Sequence, residues 1–291
     1  MPAPPTPPAP IPPAPIPPAQ GESIGSRDLA RWPTRFGRWL VHVVGALAVA
    51  IAARLPARWR PAADRALAWS AANVGFVVFA GLSLSLMLAL TAGAHEVYEG
   101  VVDHDGVAAL DQPALRLALR WRSPGLDHGV TLFTDLGGPI GMPVLATVLA
   151  LTLAALHRAW LPVVIMLVAA TGALAMTLVG KGLVGRARPP LRYAVPPYES
   201  SPSFPSGHTL NATVLTTVVV YLVLLLTTAV WQRVVAVGLG TLFVLAMGAS
   251  RVFLGHHWLT DVLAAWAIGL AWALAVITAH RLLVTLRRGA S

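Results

Sequence analysis

The chain has 291 residues, 56% of them hydrophobic and only 11% charged, with a mean hydropathy of +0.69. Soluble domains carry roughly 25% charged residues, so a soluble fold is excluded and a polytopic helical membrane protein is expected. The net charge of +9 does not mark a nucleic-acid binder, because the arginines cluster beside apolar runs as membrane anchors do, and the absence of cysteine excludes disulfides and thiolate metal sites.

In chain order, residues 1–26 form a Pro/Ala-rich tail that cannot hydrogen-bond as helix or strand, and an extended or disordered segment is expected. It lacks the basic, apolar and small-residue order of a signal peptide. Residues 27–72 are an Arg-rich cytoplasmic or interfacial segment. They hold a short apolar run, Trp39 to Ala53, between two arginine clusters. That run is short for a span and basic on both flanks, which favours an interfacial helix over an extra crossing.

Residues 73–283 then read as a six-transmembrane-helix bundle, all-α, with helices near 73–94, 139–157, 161–180, 209–230, 234–252 and 259–282. A short cytoplasmic tail, 284–291, follows. Arg54 to Arg65, His157-Arg158, Gln232-Arg233 and Arg281 to Arg288 fall on one side, the cytoplasm by the positive-inside rule. The opposite side receives residues 95–138, 181–208 and the junction near 251–261. It also carries most of the acids, among them Asp111, and a segment with Arg116, Arg120 and Arg122 at amphipathic-helix spacing.

Three clusters lie on that outer side. Lys181-Gly-Leu-Val-Gly-Arg-Ala-Arg188-Pro189 closes the third helix of the bundle, and Phe204-Pro205-Ser206-Gly207-His208-Thr209 opens the fourth. Ser250-Arg251, five residues, His257, three residues and Asp261 span the junction of the fifth and sixth. Lys181 is the sole lysine, and Asp261 is the sole acid beyond Glu199. Isolated charges in so apolar a region are expensive and mark functional candidates. Lys181, Arg188 and Arg251 would repel one another unless an anion sits among them, and a phosphate suits forked arginine donors beside a lysine point charge. Ser206 and Gly207 open a helix, where free amides and the dipole favour an anion.

His257 and Asp261, four residues apart, share a helix face. The carboxylate can fix one ring nitrogen and leave the other as nucleophile or base. His208, from a different helix, is placed to protonate a leaving oxygen and later to activate water. Such a site needs no metal or other cofactor, because its cations already neutralise developing charge. His256 adjoins the proposed nucleophile, but the spacing to Asp261 favours His257. Glu199, Arg192 and Tyr193 read as solvated loop, and Asp135 with Gly137-Gly138 as a helix-capping turn.

These clusters resemble the three signature motifs of the type 2 phosphatidic acid phosphatase (PAP2) superfamily: Lys, six residues, Arg-Pro; Pro-Ser-Gly-His; and Ser-Arg, five residues, His, three residues, Asp. Every signature position is matched in order, over roughly residues 73–283. The resemblance implies a bacterial integral membrane enzyme that hydrolyses a lipid phosphate or diphosphate at the outer face of the inner membrane. Candidate lipids are polyprenyl diphosphate, phosphatidylglycerophosphate or phosphatidic acid. It implies that His257 forms a phosphohistidine, Asp261 orients it and His208 is the acid. Lys181, Arg188, Arg251, Ser206 and the Gly207 amide hold the phosphate. Vanadium haloperoxidases resemble the same motifs, but as soluble proteins, against this hydropathy. A lipid phosphotransferase and a non-catalytic lipid-binding or transport component are the competing readings. The expected partners are the bilayer and its lipid phosphate, not nucleic acid; the sequence leaves oligomeric state open.

Overall fold

A computed structural model describes residues 56–289 together with isolated positions 43, 46, 50 and 54. The Pro/Ala-rich tail at 1–26 and most of the run at 39–53 lie outside the described residues. Among the described residues all regular structure is helical. The α-helices are α1 (Arg60–Ala72), α2 (Val74–Asp103), α3 (Asp111–Arg120), α4 (Pro124–Asp135), α5 (Gly141–His157), α6 (Leu161–Val184), α7 (Gly207–Leu226), α8 (Val230–Phe253) and α9 (Leu259–Gly289).

Five of these, α2, α6, α7, α8 and α9, are long and apolar enough to cross a membrane. The expected helix near 139–157 forms as α5, a shorter apolar helix of 17 residues. Leu82, Leu84, Leu86 and Leu88 of α2 and Leu167 and Leu174 of α6 are exposed. An apolar patch of that extent is out of place in water and fits a lipid-facing surface. The chain is a multi-pass membrane protein.

Lipid is as apolar as a leucine side chain, so close packing and small residues hold such helices together. The central helix, α7, buries Leu210, Val214, Val218 and Leu222 completely against α6, α8 and α9. Ala169 and Ala173 of α6 are fully buried, and Gly172 lies under Trp272 of α9. A Cβ on Gly172 would stand 2.2 Å from the indole ring, while the indole N–H donates to the Ala169 carbonyl at 3.1 Å.

Element ends depart from expectation where local chemistry differs from mean hydropathy. No Pro or Gly-rich breaker follows residue 94, so α2 runs on to Asp103 and stops at His104, whose φ of 59° is left-handed. The fourth helix of the bundle, α7, stops at Leu226, short of 230. There Arg233 turns back to donate to the Thr227 carbonyl at 2.8 and 3.0 Å. Helix α9 continues to Gly289, through most of the segment expected as a tail.

The amphipathic segment forms as α3, with Leu115 buried and Arg116 and Arg120 exposed. Arg122 instead turns inward and donates to the carbonyls of Phe253 (2.9 Å) and Tyr193 (2.7 Å). Helices α3 and α4 lie across one end of the bundle, against α8 and α9. The C-terminal ends of α6 and α8 and the N-terminal ends of α7 and α9 meet at that same end.

Candidate active site

The first cluster begins on the last turn of α6. Gly185 ends the helix at a φ of +61°, a conformation side chains rarely adopt, and its amide bonds the Lys181 carbonyl at 3.1 Å. This releases residues 186–206 as a loop folded back over the bundle end. Lys181 Nζ donates to Ser201 Oγ at 3.1 Å and to the Pro202 carbonyl. Arg188 donates to the Ser201 carbonyl at 2.7 Å, to Ser201 Oγ at 3.2 Å and to the His256 carbonyl at 2.7 Å. Lys181 and Arg188 therefore share one piece of loop, although seven positions separate them in sequence.

The third cluster starts on the last turn of α8. The chain must then reverse sharply, and Gly255 permits it, with a φ of +70° and a close approach to Tyr193. A Cβ there would sit 2.3 Å from the Tyr193 carbonyl oxygen. The amides of His256 and His257 both donate to the Arg251 carbonyl, at 3.0 and 3.2 Å. His257 is buried to 1% exposure, with Nδ1 3.3 Å from Asp261 Oδ2 and Nε2 3.1 Å from Arg188 Nη1.

Arginine only donates, so Nε2 carries the lone pair and Nδ1 carries the proton, aimed at Asp261. Burial lowers the His257 pKa to about 4, with Asp261 opposing and Arg251 and Arg188 adding to the fall, so the ring is neutral at pH 7. Asp261 is fully buried and also accepts from the Trp258 amide at 2.9 Å and from Ser203 Oγ.

The second cluster forms the start of α7. Ser206 is its N-cap, with its amide bonded to the Asp261 carbonyl at 3.2 Å and its Oγ to Thr209 Oγ1 at 3.0 Å. Gly207 is the first helical residue, and His208 follows with Nδ1 3.9 Å from Glu199 Oε1.

Glu199 is the site's central anion, not a solvated loop residue. One oxygen meets Arg188 Nη2 at 2.7 Å and the other meets Arg251 Nη2. Burial opposes ionisation of this carboxyl, but Arg251 and Arg188 outweigh it and hold the pKa at about 2. The cations that sequence reasoning left in want of an anion have thus found one from 10 or more residues away. Arg251, 1% exposed, also donates to Thr134 Oγ1 of α4 at 3.0 Å, and its buried Nε has no hydrogen-bond partner among the described residues.

All eight residues singled out from sequence, Lys181, Arg188, Ser206, Gly207, His208, Arg251, His257 and Asp261, lie at one end of the bundle. His208 and His256 each place Nδ1 3.9 Å from Glu199 Oε1, whereas His257 meets Arg188, which itself bonds Glu199. Sequence reasoning missed Thr134, Ser203, Asp111 and Arg186, whose partners come from distant elements. Asp135 and the glycines after it do form a turn, Gly138 N bonding the Asp135 carbonyl at 3.1 Å.

A cavity of about 510 Å³ opens over this loop, lined by Arg186, Arg188, Glu199, Ser201 and His256. An apolar groove of about 330 Å³ adjoins the second cluster, between Met176, Val179, Phe204, Pro205 and Ile268.

Comparison with known proteins gives the family and the fold. The profile of the PAP2 superfamily matches residues 144–284. Phosphatidylglycerophosphatase B of Bacillus subtilis (strain 168) is 30% identical over 176 residues, covering 60% of this chain and 85% of that protein. The crystal structure of the first transmembrane PAP2-type phosphatidylglycerolphosphate phosphatase from Bacillus subtilis superposes with a TM-score of 0.59 at 28% identity. It covers 68% of this chain and 96% of that one. Aquifex aeolicus LpxE is also similar, at 21% identity and a TM-score of 0.45 over 58% of this chain and 94% of that one. The chain belongs to the PAP2 superfamily. It is a membrane lipid phosphatase.

Proposed function

We propose that this phosphatase works without a metal, through a phosphohistidine on His257, at the extracytoplasmic face of a bacterial inner membrane. The observation that carries the reading is the Glu199 carboxylate held between Arg188 and Arg251, with Arg188 also meeting the unprotonated Nε2 of His257. A site that binds a carboxylate there is built to bind a phosphate there. The phosphate replaces Glu199 between the two arginines, with Lys181, Ser206 and the Gly207 amide receiving its remaining oxygens.

His257 Nε2 then attacks phosphorus as the bond to the lipid oxygen breaks, and His208 gives that oxygen its proton. Asp261 holds Nδ1–H and balances the positive charge the ring acquires. Water, deprotonated by His208, displaces His257 and releases inorganic phosphate. The cations take up the charge on the equatorial oxygens throughout, which is where most of the rate enhancement arises.

In this reading α5 is the sixth span, so the six helices alternate. Arg158, Arg233, Arg281 and Arg287 then fall at the end away from the site, which the positive-inside rule assigns to the cytoplasm. The apolar groove beside Phe204 and Pro205 takes the first part of the lipid tail. Phosphatidylglycerophosphate leads the substrate classes, on the named relatives, with phosphatidic acid and polyprenyl diphosphate next.

The test is phosphate release from these three lipids by purified protein in detergent, with and without EDTA, for wild type and His257→Ala. Release that survives EDTA and vanishes in the variant supports the mechanism. Release abolished by EDTA, or retained by the variant, overturns it.

A further inference from the structure

Behind His257 stands a chain of charges that the signature motifs do not include. Asp261 Oδ1 accepts from Arg186 Nη1 at 2.6 Å, and Arg186 Nη2 donates to Asp111 Oδ2 at 2.6 Å. Asp111 in turn accepts from the Thr260 amide at 2.9 Å and from Thr260 Oγ1 at 2.7 Å, and Arg186 Nη1 also reaches Thr260 Oγ1 at 2.8 Å. The guanidinium lies 5.6 Å from the Trp258 ring centroid. Asp111 and Asp261 are buried and Arg186 nearly so. Asp111 comes from α3, outside the matched superfamily region, and Arg186 sits two positions before the signature Arg188.

We propose that Asp111 and Arg186 are positioning residues for the nucleophilic histidine. Arg186 locks the Asp261 carboxylate, and Asp111 cancels the Arg186 charge so that a net negative charge still backs His257. The inference rests on the reading of His257 as nucleophile. Its physical content is a charge count. On its Nε2 side His257 faces Arg188, with Arg251 close by, and both oppose positive charge on the ring. On its Nδ1 side, Asp261 with Arg186 alone sums to zero, whereas Asp111 restores one negative charge. As phosphorus bonds to Nε2 the ring becomes cationic, and the second sum stabilises it more than the first.

The competing explanation is that Asp111 merely caps α9 through the Thr260 amide. Asparagine caps a helix as well as aspartate does, so Asp111→Asn separates the two. The probes are phosphatidylglycerophosphate and phosphatidic acid in detergent micelles, whichever wild type turns over. Asp111→Asn is expected to lower kcat about 10- to 100-fold, leaving KM within about threefold and the melting temperature near wild type. A wild-type kcat in Asp111→Asn, or a loss confined to KM, overturns the proposal.

If Asp111→Asn does not fold, Arg186→Lys carries the test, since lysine keeps the charge but cannot fork between two carboxylates. The same fall in kcat is expected, and a wild-type kcat again overturns the proposal. His257→Ala in the same assay keeps the two ideas apart. If it retains turnover, the nucleophile reading itself fails and takes this inference with it. If it is dead while Asp111→Asn and Arg186→Lys run at wild-type rate, only the positioning role falls.

Discussion

Replacing Glu199 with glutamine probes the anion between the arginines and carries two opposite consequences. The carboxyl's fall from 4.5 to about 2, at about 1.36 kcal/mol per pKa unit, makes its charge worth about 3 kcal/mol to the folded protein. Glutamine keeps the shape and one acceptor but leaves Arg188 and the buried Arg251 without a counter-charge. At roughly 2–4 °C per kcal/mol for a chain near this size, Glu199→Gln melts about 6–12 °C below wild type at pH 7.

The sign with pH is fixed. A carboxyl whose pKa is depressed on folding stabilises above its unfolded pKa, here 4.5, and loses that contribution as pH falls toward 2. The gap between variant and wild type therefore narrows in acid. Phosphate gains from the same change, because it no longer competes with a carboxylate for the arginines. Partial exposure of Glu199 screens the gain, so inorganic phosphate inhibits the variant about tenfold more tightly. Thermal melting in detergent and phosphate inhibition of steady-state lipid hydrolysis measure the two effects. Unchanged melting with unchanged inhibition refutes the bridge.

Ser203→Ala removes a donor to Asp261 and should lower kcat several-fold, by about 1 kcal/mol, with KM little changed in the same assay. Thr134→Val strips the buried Arg251 of an acceptor and should lower stability by about 1–3 kcal/mol, read as a fall in melting temperature. His257, neutral because burial lowers its pKa to about 4, predicts that stability declines as pH falls from 6.5 toward 4. In that window the unfolded chain binds the proton and the folded one does not, and melting followed across it checks the slope. Gly172→Val forces a side chain into Trp272 and should destabilise the α6–α9 packing by about 1–3 kcal/mol or more, seen as poor recovery from detergent.

The spans were legible because apolar runs of bilayer length have few alternative structures, and the three clusters because their spacing is fixed by short local geometry. His257 and Asp261 meet as their spacing suggested, but not on one helix face: His257 lies in the turn before α9, and only Asp261 is in the helix, on its first turn. Helix ends were less legible, since the Arg233 cap that ends α7 and the unbroken extension of α2 depend on particular side chains, not on mean hydropathy. Glu199, Asp111 and Thr134 were illegible for a different reason. Each looks like an ordinary loop or helix-end residue locally, and each acquires its role from a partner 50 or more positions away. The one hint was chemical: clustered cations need an anion, and Glu199 is the last acid before Asp261.

The most direct test of the central claim is to trap the covalent intermediate. Wild-type protein mixed with lipid radiolabelled in its terminal phosphate and quenched in base should carry label that is stable to alkali, is lost in acid and maps to His257. Steady turnover with no trapped label, or label on any residue other than His257, contradicts the account.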